Sequence, residues 1–86
     1  MNLAEILRKN ITICLDNKHL TQNELAVLCN LHESVISRIL SGKRELNVKH
    51  LAQIAKALDI DIVSLIYYPD EVIIVRKTEK QVIINL

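Results

Sequence analysis

Leu3, Ile6, Leu7, Ile11, Cys14 and Leu15 stand three or four residues apart, the interval that lines side chains along one face of an α-helix. This spacing predicts an amphipathic helix over about residues 3–17, ended by Lys18-His19. Thr21 and Glu24 then form a Thr-x-x-Glu pattern, in which the hydroxyl and the carboxylate satisfy orphan backbone N–H groups at the start of a new helix. That second helix runs through Leu25, Ala26 and Leu28 to about Cys29, and Asn30 after it tolerates the left-handed backbone of a tight turn. A third helix fits His32 or Glu33 to Leu40, with Val35, Ile36 and Ile39 apolar and Ser34, Ser37 and Arg38 polar, stopping at Ser41-Gly42. Asn47 suits the cap of a fourth helix carrying Leu51, Ile54, Ala55 and Leu58, and Asp61 that of a short fifth through Val63, Leu65 and Ile66.

Beyond Pro69 the pattern changes. Val72-Ile73-Ile74-Val75 and Val82-Ile83-Ile84 flank a polar run from Arg76 to Gln81, which reads as two β-branched strands and a turn. The expected fold class is therefore mainly α: five helices followed by a C-terminal β-strand pair or hairpin. Residues 1–69 form the helical domain and residues 70–86 a β extension. Alternation puts Val72 and Ile74 on one face and Ile73 and Val75 on the other, so the first strand is apolar on both sides. A lone hairpin is marginally stable and leaves one such face wet. Self-association through Val72, Ile73, Ile74, Val75, Val82, Ile83 and Ile84 is the first expectation; burial by the chain's own helices or by a different protein is the alternative.

Composition narrows the function classes. At 86 residues the chain is about one small domain. Half of its residues are hydrophobic and 24% are charged, with one Gly and one Pro, which excludes a disordered or linker-like chain. Trp and Phe are absent and the only aromatics are Tyr67 and Tyr68, so the core is aliphatic and base stacking on aromatic rings is not the mechanism. There is no apolar run of the roughly 18 residues a membrane span needs, and Met1-Asn2-Leu3-Ala4-Glu5 lacks a basic, signal-like start; a soluble cytoplasmic protein is expected. Cys14 and Cys29 are far apart, without metal-ligand spacing, and are expected to pack as small apolar groups. His19, His32 and His50 are scattered, with no nucleophile or carboxylate at catalytic spacing. They are expected at the surface or in turns, and no enzyme, cofactor or metal site is indicated.

The formal net charge of +1 hides an asymmetry. Residues 34–56 carry Arg38, Lys43, Arg44, Lys49 and Lys56 against Glu45 alone, while residues 57–71 carry Asp59, Asp61, Asp70 and Glu71 with no base. A basic centre beside an acidic segment is usually just a solvated face, with a local anionic partner such as DNA as the alternative.

Three separated motifs, Leu20-Thr21-Gln22-Asn23-Glu24-Leu25-Ala26, then Val35 through Arg44, then Leu51-Ala52-Gln53-Ile54-Ala55-Lys56-Ala57-Leu58, occur in an order and spacing that resembles the phage-repressor type of helix-turn-helix domain, also called the xenobiotic-response-element family. The likeness covers roughly residues 3–68. It implies a five-helix, repressor-like domain that binds double-stranded DNA, generally as a homodimer on a palindromic operator, and acts as a transcriptional regulator. The runner-up is a DNA-binding antitoxin or interaction module whose C-terminal strands or apolar helix face hold a partner such as a toxin.

On this resemblance Gln22 meets a phosphate at the start of the second helix, where the dipole favours an anion, or is simply exposed there. Glu33, Ser34, Val35, Ser37 and Arg38 face the major groove from the third helix. Arg38 is suited to guanine O6 and N7, with a phosphate contact as the alternative. Val35 either meets a thymine methyl or packs inward, and Glu33 either accepts from cytosine N4 or serves only as an acid at the helix N-terminus. Lys43, Arg44 and Lys49 neutralise backbone phosphates. Two departures from the family pattern stand out: Asn30 replaces the usual turn Gly, and Val27 and Leu28 are apolar where charged residues are common, which suggests extra packing or a partner surface.

Overall fold

The computed structural model describes residues 2–70. Five helices make up this part: α1 (Leu3–Asn17), α2 (Gln22–Cys29), α3 (Glu33–Ser41), α4 (Val48–Ala57) and α5 (Ile62–Tyr67). The N-terminal signals act largely as their chemistry dictates. Asn2 Oδ1 accepts from the Glu5 N–H at 2.9 Å, and Asn47 Oδ1 accepts from the His50 N–H at 2.8 Å. Thr21 and Glu24 make both bonds of the capping box, each 3.0 Å. Asp61 occupies the cap position of α5 without a side-chain cap bond.

Three helices close in the same way, although none ends in glycine. His19, Asn30 and Asp59 adopt left-handed backbone, with φ of 56°, 55° and 54°. In each case the next N–H reaches back into the last turn: Leu20 to the Leu15 carbonyl, Leu31 to Ala26 and Ile60 to Ala55. This is the Schellman closure, which satisfies orphan carbonyls and turns an apolar residue inward. Leu20, Leu31 and Ile60 indeed pack against the core.

That core is aliphatic: Leu7, Ile11, Cys14 and Leu15 of α1 meet Leu25, Ala26, Cys29, Ile36, Ile54, Leu58 and Leu65. Helix α1 packs on α3 and α5, α2 on α3 and α4, and α4 on α5. One buried polar side chain joins α1 to α5. Asn10 donates through Nδ2 to the carbonyls of Leu65 and Ile66 at 2.9 and 2.8 Å, capping the end of the short α5, where Leu65 O otherwise has only the long bond from the Tyr68 N–H at 3.4 Å.

The expected fold class requires correction. The described residues are all-helical, five helices and no strand, so this part is all-α, against an expected class of mainly α with a C-terminal strand pair. That pair rests on two β-branched runs about a polar turn, and β-branched content reports a fit to a half-buried surface rather than an intrinsic commitment to strand. The residues on which the pair and the dimer contact were placed, Val72 to Val75 and Val82 to Ile84, lie outside the described residues.

Two smaller expectations also change. Leu3, counted in the inward stripe, is an exposed residue of α1. His50, expected at the surface, is only 8% exposed, and its Nδ1 has no partner among the described residues. Cys14 and Cys29 are free thiols buried as small apolar groups, and burial pushes the Cys29 thiol above its ordinary range.

Candidate nucleic-acid interface

Helix α3 divides into two faces because of where its isoleucines fall. Ile36 and Ile39, three residues apart, are fully buried, and this fixes the rotation of the helix. Ser34, Ser37 and Arg38 are exposed by the same rotation, as is Glu33 in the first turn. Val35 is half-buried at the border between the faces. Glu33 stands where a carboxylate complements the helix dipole whatever else it contacts.

The turn before α3 is set by Asn30. Its left-handed conformation and the bonds of Asn30 N–H to Val27 and Leu31 N–H to Ala26 reverse the chain in three residues, leaving α2 and α3 packed on each other. At the start of α2, Gln22 is exposed. The capping box occupies the N–H groups of Thr21 and Glu24. Those of Gln22 and Asn23 have no intrahelical acceptor and stand at the positive end of the α2 dipole.

The loop after α3 folds back on the helix that precedes it. Gly42 takes φ of 83° and donates to Ile39 O at 3.2 Å, while the Arg44 N–H donates to Arg38 O at 3.0 Å and Ser41 Oγ donates to the same carbonyl at 3.2 Å. Arg44 is thereby brought back beside the backbone of Arg38, with exposed Lys43 between Gly42 and Arg44. Lys49, also exposed, belongs to the first turn of α4. No bond ties it to the loop cations.

Sequence reasoning missed two features of this region. Val48, beside Lys49, is 79% exposed. Arg8 of α1 reaches across to α3 and donates through Nε to Ile39 O at 2.9 Å, a contact 31 residues distant in the chain. The only signal for Arg8 was a basic side chain at the border of an apolar stripe. On α2, Val27 and Leu28 are 72% and 57% exposed; extra packing does not account for them among the described residues. A shallow cleft of about 420 Å³ adjoins Leu28, lined by Cys29, Asn30, Gln53, Lys56 and Ala57.

None of the described helices is long and apolar enough to cross a membrane, and no group of His, Cys, Asp and Glu among the described residues is placed to hold a metal ion. No curated protein matches the chain. Residues 11–65 match the family model described as helix-turn-helix, of the phage-repressor-like type. The match takes in the capped α2, the three-residue turn and α3 with its fold-back loop; the chain belongs to the helix-turn-helix family of DNA-binding regulators.

Proposed function

We propose that this chain is a sequence-specific transcriptional repressor that binds double-stranded DNA as a homodimer on a palindromic operator, reading it with α3. The observation that carries the reading is the division of α3, with Ile36 and Ile39 fully buried under an exposed stripe of Ser34, Ser37 and Arg38. A helix so anchored offers its polar face to base edges in a major groove without losing its core. Arg38 is the base-reading residue, its fork directed at guanine O6 and N7. Ser34, Ser37 and the exposed edge of Val35 supply shorter contacts, and Glu33 serves the helix N-terminus. Gln22 meets a phosphate at the start of α2. Lys43, Arg44 and Lys49 neutralise phosphates and set register without reading sequence.

Homodimerisation follows from the demands of a palindrome. Two half-sites about one helical turn apart, roughly 34 Å, require two recognition helices in fixed relation. Val72, Ile73, Ile74, Val75, Val82, Ile83 and Ile84 are the apolar residues assigned to that contact, because water is a poor environment for so dense an aliphatic segment.

The test is competition binding on an operator selected from a random pool. Arg38→Ala is expected to remove base discrimination of about 1–3 kcal/mol while leaving binding to unselected DNA nearly intact. Equal losses on both would make Arg38 a phosphate contact and refute the assignment.

A second reading, that of an antitoxin or interaction module, draws support from the exposed Val27 and Leu28 of α2, since adjacent exposed apolar side chains favour a protein partner. Coexpression with the neighbouring gene separates the two readings. Stoichiometric copurification abolished by Leu28→Glu favours the second, and its absence favours the plain repressor.

A further inference from the structure

We propose that Arg8 is a positioning residue for the DNA interface, holding the end of α3 and the Gly42–Arg44 loop in place on the body of the domain. The inference rests on the DNA-binding reading above. Arg8 precedes residues 11–65, to which the family match is confined, and is not one of the residues assigned to DNA from the sequence.

Two carbonyls in the last turn of α3 are doubly occupied. Arg38 O accepts from Arg44 N–H and Ser41 Oγ, and Ile39 O accepts from Gly42 N–H and Arg8 Nε. Three of these four donors belong to the loop or to α3 itself, so they fold the loop on the helix without fixing either to the rest of the domain. The fourth donor comes from α1, which the buried Leu7 and Ile11 hold in the core. Arg8 is half-buried. Its guanidinium lies alongside Gly42, with Cζ and Nη1 each 4.0 Å from where a Cβ would stand.

The chemistry suits the place. A cation at a helix C-terminus complements the negative end of the dipole, and an N–H donated by a charged group makes a stronger bond than a neutral one. A neutral carbonyl partner leaves the charge of Arg8 uncancelled, so the guanidinium adds to the local positive potential around Lys43 and Arg44. Its first effect, however, is geometric: where Ile39 O is held, Gly42 and the two loop cations follow.

Full-length wild type, Arg8→Ala, Lys43→Ala and the double variant are titrated by fluorescence anisotropy against a mixed-sequence duplex about two helical turns long, with melting curves confirming that each is folded at the assay temperature. Arg8→Ala is expected to weaken binding roughly three- to tenfold, in the range of a charge-assisted contact. In the double variant the two losses combine to less than their product, because Arg8 acts through the loop that bears Lys43. Should Arg8→Ala fail to fold, Arg8→Lys is carried through the same cycle. Independent losses, with a salt slope smaller by about 0.9 per subunit, would make Arg8 a phosphate contact in its own right and overturn the inference. An unchanged affinity beside a lowered melting temperature would leave it a purely structural role and overturn it equally. Wild type that shows no salt-dependent binding at all would refute the DNA reading itself, and the inference with it.

Discussion

Asn10 is the side chain whose removal the fold should tolerate least for its size. It is buried, and its one amide group serves two backbone acceptors, Leu65 O at 2.9 Å and Ile66 O at 2.8 Å. Asn10→Ala leaves both carbonyls without that donor. The first bond is fully buried and the second only partly, so water recovers some of the second. Leu65 O keeps the long bond from the Tyr68 N–H at 3.4 Å, so both acceptors take the low end of about 1–3 kcal/mol and the loss comes to about 2 kcal/mol. Domains of this size are stable by only about 5–15 kcal/mol, and each kcal/mol shifts the midpoint by about 4–8 °C, so a fall in Tm of about 8–16 °C is expected. Urea titration followed by far-ultraviolet circular dichroism measures it, with an unchanged m-value showing that stability alone has moved. Thr12→Ala is the control, because Thr12 Oγ1 makes an exposed bond to Arg8 O on the same helix and should cost no more than about 0.5 kcal/mol. If Asn10→Ala cost no more than the control, the account of how α1 holds α5 would be wrong.

Other expectations follow from the same contacts. Lys43, Arg44 and Lys49 in each of two subunits should give a log–log salt dependence of operator binding with a slope of roughly −4 to −7, and a slope near zero would eliminate the phosphate clamp. His19→Gly or Asp59→Gly should raise stability by about 0.5 kcal/mol, since relief of about 1–2 kcal/mol of left-handed strain outweighs the added chain entropy of glycine; a stability loss in denaturant titration would contradict the closure assigned to them. Deleting residues 70–86 should yield a monomer that keeps half-site binding but loses most of its affinity for a full operator. A tight dimer persisting in ultracentrifugation would place the interface on the helices instead.

The helical part was legible because its signals are local. Thr21 and Glu24 are three residues apart, Asn47 meets the N–H of His50, and Asn30 needs nothing beyond its own turn to adopt left-handed backbone. The same closures at His19 and Asp59 were not foreseen, because neither residue is a usual choice there and tertiary packing of Leu20 and Ile60 decides the matter. His50 misled for a related reason: a side chain that is polar in composition was carried inward by the helix face it shares with Ile54 and Ala55. The expected C-terminal strand pair lies outside the described residues, and runs of Val and Ile specify burial more firmly than they specify conformation.

Within the candidate interface the same boundary separates what short spacing encodes from what it cannot. The outward face of α3 was readable from Ile36 and Ile39, since placing two residues inward places Ser34, Ser37 and Arg38 outward. The polar contacts that help to hold that face on the domain were not, because they join distant parts of the chain. Arg8 to Ile39 spans 31 residues and Asn10 to Leu65 spans 55. Both arise within one turn of α1, whose Arg8 is joined to the end of α3 and whose Asn10 is joined to the end of α5. Helix α1 is thus a clip between α3 and the helix that leads toward the C-terminal segment. Both clipping residues precede residue 11, where the family match begins. A domain trimmed to the matched residues would keep the face of α3 and its packing on α2 but lose both of these polar contacts.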